Sequence, residues 1–347
     1  MSFTRIVNFY ISKILPYVVI LLFLFQIFGN FYFFKDIQQT NNNIYYKIIN
    51  FLYFIFCILA IISFIMTYIT EPGFVTEKNN EFFLYLYKKT RKYSLKRADI
   101  FNENHKNKII HFDDDNDDLY SDGESSDDEM KFKESDYLNN LYNKCKNFSN
   151  GLDFNVKKCR QCHIVKVCGT IHCSICHKCV YMKDHHCIWF NQCIGQFNLK
   201  YFILFCFYLF LCSFISFQKT VNCIIIKNNF ILFYRFNFNK IVLIFTFSIL
   251  DLTSIIFSAK LLYDQYTNLN DFAIMYDFKR KKTIEIRTKY EILCEDFGDE
   301  FCIRWFLPFK AGGFYDVKKM MGEYFEKKAN LSGDNRSKNN INKFKTD

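Results

Sequence analysis

The sequence predicts an all-α polytopic membrane protein, with four transmembrane helices and a cytosolic cysteine-rich zinc-binding segment between helices 2 and 3. Three observations carry that expectation. Apolar residues gather into long runs, cysteines and histidines crowd at metal-ligand spacing between Cys159 and Cys193, and lysines and arginines collect at particular ends of the runs. Half of the 347 residues are hydrophobic, 20% are aromatic and three are proline, so a mean hydropathy near zero hides a division into oily and polar blocks.

A bilayer core of about 30 Å needs about 20 apolar residues in a helix. Residues 14–34, 48–69 and 241–263 reach that length, and 199–217 is shorter but continuous. The first run is followed by Lys35 and Asp36 without a small-residue cleavage site, so it is expected to remain as an anchor. The greasy stretch from Cys223 to Tyr234 is broken by Lys227, Asn228 and Asn229, and reads as a loop touching the membrane interface. The chain therefore divides into residues 1–76 with helices 1 and 2, an insert at 77–150, a cysteine-rich domain at 151–198, helices 3 and 4 at 199–263, and a basic tail at 264–347.

Lys and Arg are retained on the cytosolic side of a span. Arg5 and Lys13 precede the first run, the segment from Lys78 to Lys200 is dense in basic residues, and so is the tail from Arg280 onward. Both termini and the cysteine-rich segment are thereby placed in the cytosol, with two short loops facing the lumen. The net charge of +10 is spread over loops and tail instead of an aromatic-interleaved groove, which argues for an anionic leaflet as partner and against nucleic acid. Residues Phe314 to Lys328 alternate apolar and charged side chains in a helical rhythm, suited to a membrane surface or to a solvated helix.

Within the insert, Asp113 to Glu129 is a near-continuous acidic run around Ser121, Ser125 and Ser126; such charge density cannot bury a core, so a solvated linker is expected, with the serines as sites for acid-directed kinases. Asp251 falls inside the fourth run, where an ionisable group turns inward; Lys260 and Thr253 are its sequence-nearest partners.

The ligand-type residues run Cys159-x2-Cys162, His172-Cys173-x2-Cys176-x2-Cys179, Asp184-His185-His186-Cys187, then Cys193. Tetrahedral zinc takes four thiolate or imidazole ligands, commonly from Cys-x2-Cys knuckles, and this segment has enough for two such sites. Disulfide pairing explains none of the histidines.

From Cys159 through Ile188-Trp189-Phe190-Asn191-Gln192-Cys193-Ile194-Gly195, with Asn198 and Phe202 beyond, the chain resembles the DHHC protein S-acyltransferases, the zinc-containing integral membrane palmitoyltransferases. Shorter resemblances lie outside. Glu71-Pro72-Gly73 is similar to the family's Asp-Pro-Gly element, and Phe297-Gly298 with Trp305-Phe306-Leu307-Pro308 to its C-terminal pieces. Three departures stand beside them. Lys166-Val167-Cys168-Gly169 replaces the usual Lys-Pro-x-Arg, Ile188 replaces a proline, and the Thr-Thr-x-Glu element is degenerate, with Ile274-Met275-Tyr276-Asp277 and Thr283-Ile284-Glu285 as its candidates.

The resemblance implies two structural Zn2+ ions, one held by Cys159, Cys162, His172 and Cys179, the other by Cys173, Cys176, His186 and Cys193. It leaves Cys187 as nucleophile, His185 as base and Asp184 as the carboxylate that orients the imidazole, the logic of a catalytic triad. The implied reaction moves a long-chain fatty acyl group from acyl-CoA, palmitoyl-CoA for instance, to Cys187 and then to a cytosolic cysteine of a membrane-associated protein. Lys157, Lys158, Lys183 and Lys200 are candidates to meet the anionic CoA head, and the Golgi or endoplasmic reticulum is the expected location. Two rivals differ in class. A RING-like ligase module would need a closing Cys-x2-Cys where Cys193 stands alone, and a low-activity zinc scaffold that recruits membrane partners would be consistent with the altered 166–169 stretch. Cys145, Cys168, Cys294 and Cys302 read as free thiols, and His163 and His177 as exposed or outside the ligand sets.

Overall fold

The computed structural model describes residues 3–40, 44–90, 157–166, 169–226, 238–271, 274–277, 282–286, 288–298, 301–309 and 324. The acidic run at 113–129, Val167, Cys145, Cys168 and, apart from Tyr324, the segment 314–328 lie outside the described residues. Helices α1 (Phe3–Thr40) and α2 (Ile44–Ile69) lead into a short strand β1 (Phe74–Val75) and helix α3 (Asn80–Thr90). Six strands follow: β2 (Lys157–Cys159), β3 (Ile164–Lys166), β4 (Ile171–Cys173), β5 (Lys178–Val180), β6 (His185–Cys187) and β7 (Gln192–Ile194). Then come α4 (Leu199–Ile226), α5 (Phe238–Asp271), strands β8 (Ile274–Asp277) and β9 (Lys282–Ile286), α6 (Lys289–Phe297) and a 3-10 turn at Ile303–Trp305.

Among the described residues, four helices are long and apolar enough to cross a membrane, over Lys13–Phe31, Ile44–Ile69, Leu199–Asn222 and Val242–Leu269. The last two run past the ends set by hydropathy for identifiable reasons. In α4, Lys219 is accommodated because it donates to Asn30 of α1 at 3.3 Å and to Asn50 of α2, and the helix continues through Cys223 to Ile226, where the sequence suggested a loop. In α5, the extension carries Gln265 and Asn268, whose amides reach Asp184. The central helix is α4, packed on α2 and α5 and the most enclosed of the four, whereas the others turn most of their surface outward, as lipid contact permits. Gly29 of α1 lets the ring of Phe247 come close, since a Cβ there would stand 1.9 Å from it.

Backbone and side-chain polar groups inside a bilayer must find partners within the protein. Thr67, Thr220, Thr246, Ser248 and Ser258 each donate back to the carbonyl four residues earlier. Asp251 is fully buried, but neither Lys260 nor Thr253 meets it: Lys260 pairs with Asp264 and Thr253 donates to the Leu250 carbonyl. Its partners come from other helices, Ser216 of α4 at 2.7 Å and Gln26 of α1, whose amide also donates to Ser213 at 3.1 Å. Three helices are thus tied at one level. Asp251→Ala is expected to lower the Tm of the detergent-solubilised protein, since stranding those donors costs about 1–3 kcal/mol; an unchanged Tm would show that the network holds nothing.

The cysteine-rich segment is built of three antiparallel hairpins, β2-β3, β4-β5 and β6-β7, the middle one extended by β1 in the order β1-β5-β4. Strands of three residues are too short to print an alternation, which is why the all-α reading passed over them. The register Phe74↔Val180 and Val75↔Cys179 means that the chain leaving α2 through Glu71-Pro72-Gly73 enters the sheet directly. Gly195 packs onto that element, its Cβ position 2.6 Å from the Pro72 carbonyl oxygen. Asn198, just before α4, accepts from Gly195 N–H at 2.9 Å and donates to the carbonyls of Cys193 and Thr70, while Gln192 donates to those of Thr67 and Tyr68. The segment is therefore fastened across the ends of α2 and α4. Tyr324 packs against Phe82 and Tyr85 of α3.

Candidate metal centres and active site

Each cysteine-histidine group is shared between consecutive hairpins. Cys159 and Cys162 flank the first turn, and the cross-strand pair His172↔Cys179 completes their quartet; Cys173 and Cys176 flank the second, completed by His186↔Cys193. Within each quartet the ligand atoms lie within 4.8 Å of one another. His172 Nδ1 stands 3.6, 3.3 and 3.8 Å from the sulfurs of Cys159, Cys162 and Cys179, and His186 Nδ1 stands 3.6, 3.3 and 3.7 Å from those of Cys173, Cys176 and Cys193. A tetrahedral zinc with Zn–S of about 2.3 Å and Zn–N of about 2.0 Å sets sulfur and nitrogen about 3.5 Å apart, so both quartets fit the ion.

The donor chemistry agrees with the distances. Hydrogen bonds from Cys176 and Cys193 pull the Cys173 thiol far below its ordinary pKa, and contacts with Cys173 and Cys176 drive Cys193 far above its own. A divalent cation removes that opposition by accepting all three as thiolates. With four protein ligands each site is closed, which makes the role structural.

Asp184, His185 and Cys187 lie on or beside β6, at the junction between the hairpins and the helices. Cys187 is 4% exposed and belongs to the apolar cluster that holds Phe64 of α2 and Phe202, Phe205, Cys206 and Leu209 of α4. His185 Nδ1 donates to Asp184 Oδ2 at 3.1 Å, and Cys187 lies two residues further along the same strand, β6. The ring lies edge-on to Phe202 with centroids 5.3 Å apart. Burial alone would lower the His185 pKa, but the Asp184 hydrogen bond and the charges of Asp184 and Cys187 outweigh it and raise the value from 6.5 to about 9. The imidazole therefore keeps its proton at neutral pH.

Two site residues escaped the sequence reading. Gln265 Nε2 donates to Asp184 Oδ2 at 2.7 Å and Asn268 Nδ2 to Asp184 Oδ1 at 3.2 Å, so the end of α5 clamps both carboxylate oxygens. The stretches considered for the Thr-Thr-x-Glu element fall instead in β8 and β9. The available signal was two amides three residues apart, on one helix face just beyond an apolar run. Lys200 is also reassigned. It is 3% exposed and donates to the carbonyls of Phe297 at 3.4 Å and Arg304 at 2.9 Å, which fastens α6 and the 3-10 turn to α4 and takes it away from any CoA phosphate. Trp305 stacks on Phe297 there, and Tyr208 donates to the Phe306 carbonyl. Both His163 and His177 are exposed, and Cys294 and Cys302 are outside any disulfide, buried and exposed respectively.

Fold and site together define a multi-pass membrane protein whose spans carry a segment with two quartets able to hold a metal ion and a thiol, Cys187, at the junction. Residues 153–271 match the family model of the DHHC palmitoyltransferases. Over 102 residues it is 38% identical to probable protein S-acyltransferase 14 of Arabidopsis thaliana, covering 29% of this chain and 31% of that one. It is 47% identical over 58 residues to palmitoyltransferase ZDHHC3 of Homo sapiens, 17% of this chain and 19% of the relative, and 56% identical over 48 residues to palmitoyltransferase SWF1 of Saccharomyces cerevisiae, 14% of each. The matched segments span less than a third of these relatives' length.

Proposed function

We propose that this protein is a protein-cysteine S-acyltransferase that moves a long-chain acyl group from acyl-CoA to cysteines of membrane-associated proteins. The observation that carries the reading is the placement of Cys187: a thiol outside both metal quartets, on the same strand as a carboxylate-held imidazole, inside the apolar cluster formed with α2 and α4. Cys187 attacks the thioester carbonyl as the thiolate; the C–S bond to CoA breaks, an acyl-enzyme thioester forms, and the protonated His185 gives its proton to the departing CoA sulfur, which leaves the imidazole neutral for the next step. An acceptor thiol then attacks the acyl-enzyme, His185 taking its proton, and Cys187 is released. Asp184 fixes the imidazole with Nδ1 as donor, leaving Nε2 for proton exchange, and Gln265 and Asn268 fix Asp184.

Cys159, Cys162, His172 and Cys179, and Cys173, Cys176, His186 and Cys193, would each hold a zinc ion, which would supply a rigid fold for the hairpins. The neighbourhood of Cys187 is apolar, which suits an acyl chain and not a water-soluble thioester, and the distribution of Lys and Arg supports a cytosolic site with both termini on the same side. An endomembrane, Golgi or endoplasmic reticulum, is the location proposed with it.

Purified protein incubated with labelled long-chain acyl-CoA should acquire a hydroxylamine-sensitive label, and failure to do so with both metals bound would overturn the reading. In the same assay, the double change Gln265→Leu with Asn268→Leu should slow loading about tenfold or more through misplacement of the Asp184-His185 pair, with metal content unchanged. A loading rate equal to wild type would remove the clamp from the mechanism.

A further inference from the structure

The three hairpins repeat one pattern at a constant interval of 14 residues. Cys159, Cys173 and Cys187 end the first strand of each and pair with Ile164, Lys178 and Gln192. Four residues after each cysteine, His163, His177 and Asn191 take the left-handed conformation, with φ of 52°, 53° and 50°. In the first two hairpins the second knuckle position is Cys162 and Cys176, and both cysteines of each knuckle belong to a metal quartet. In the third, that position is Phe190. Cys187 thus stands where a metal ligand stands in the other two repeats.

We infer that the hairpin bearing Cys187 is a metal knuckle in which Phe190 has replaced the second cysteine, and that Phe190 is thereby a positioning residue, exchanging anchorage by a metal for anchorage in the helical bundle. A second thiol at 190 would complete a Cys-x2-Cys chelate for a soft cation and engage the sulfur of Cys187. Phe190 withholds that thiol and supplies ring contacts instead. It is 2% exposed, with centroids 4.7 Å from Phe64 of α2 and 6.0 and 5.7 Å from Phe202 and Phe205 of α4. Phe202 in turn meets His185, so one aromatic wedge sets both the nucleophile's hairpin and the imidazole against the bundle.

The knuckle part of this inference stands independently of acyl transfer, and its rate consequence rests on the function proposed above. Phe190→Cys in the full chain restores the chelate. Stoichiometric Cd2+ should then protect Cys187 from maleimide, read by mass spectrometry of its peptide, and a mild chelator should restore labelling while both structural metals stay bound. Wild-type Cys187 should not be protected. Absence of protection in the variant, or equal protection in wild type, overturns the knuckle assignment. For positioning, Phe190→Ala should keep both metals yet change the maleimide reactivity of Cys187 and load acyl chain about 10²-fold more slowly, and Phe190→Leu should recover most of both. Equal reactivity across wild type, Ala and Leu overturns the positioning role. Loading that is absent even in wild type, beside Cd2+ protection of Phe190→Cys, would remove the transferase reading and leave the knuckle in place.

Discussion

Cys187→Ala is expected to keep both metal quartets filled and to lose the acyl label. Its sulfur belongs to neither quartet, so elemental analysis should read the same zinc content as wild type. The label goes because the covalent acceptor of the first half-reaction is gone, and removal of a nucleophile of this kind costs about 10⁴-fold or more. Neither of the two described C-terminal thiols is placed to compensate. Cys294 is enclosed, and Cys302 is exposed but has no hydrogen-bonded imidazole among the described residues. His185→Ala should retain the thiol and slow loading by about 10²–10⁴, the usual contribution of a positioned acid-base group. Wild-type labelling in Cys187→Ala would place the acyl group elsewhere and end the assignment.

The sequence carried the membrane spans and the ligand spacing because both depend on local physics: a bilayer thickness sets the length of an apolar run, and a knuckle sets the interval between two cysteines. What it could not carry were the partnerships that fold the chain back on itself. Asp251 sits near Lys260 and Thr253 along the helix, yet its partners Ser216 and Gln26 are 35 and 225 residues away, on other helices. Lys200 looked like a free cation for a phosphate because its neighbours in sequence are apolar and aromatic; the carbonyls it meets come from the C-terminal segment. The clamp on Asp184 was hidden by a similar cause. A search for one short element directed attention to residues 274–285, whereas amides on the last turns of α5 do the work of orientation. The hairpin period was legible from Cys159, Cys173 and Cys187, but the substitution that breaks it, Phe190, reads as another apolar residue until its ring is seen between α2 and α4.

Adjacent histidines should fail in opposite ways. His186→Ala removes a ligand from the quartet of Cys173, Cys176 and Cys193, and is expected to lose that metal and to unfold the hairpins around it. A structural zinc contributes about 10–16 kcal/mol to a small metal-folded module, and a whole domain is stable by about 5–15 kcal/mol, so no residual packing in three-residue strands can offset the loss. The acyl label should vanish together with the metal, because β6 and β7 carry His186 and Cys193 on the same strands that place Cys187. His185→Ala, one residue earlier, should keep both metals and lose rate alone. Cys173→Ala should reproduce the His186 phenotype, which guards against an effect peculiar to the ring. Zinc measured per chain beside acyl loading separates the cases: metal retained in His186→Ala, or metal lost in His185→Ala, would overturn the division between ligand and base that the Nδ1 distances and the Asp184 hydrogen bond support.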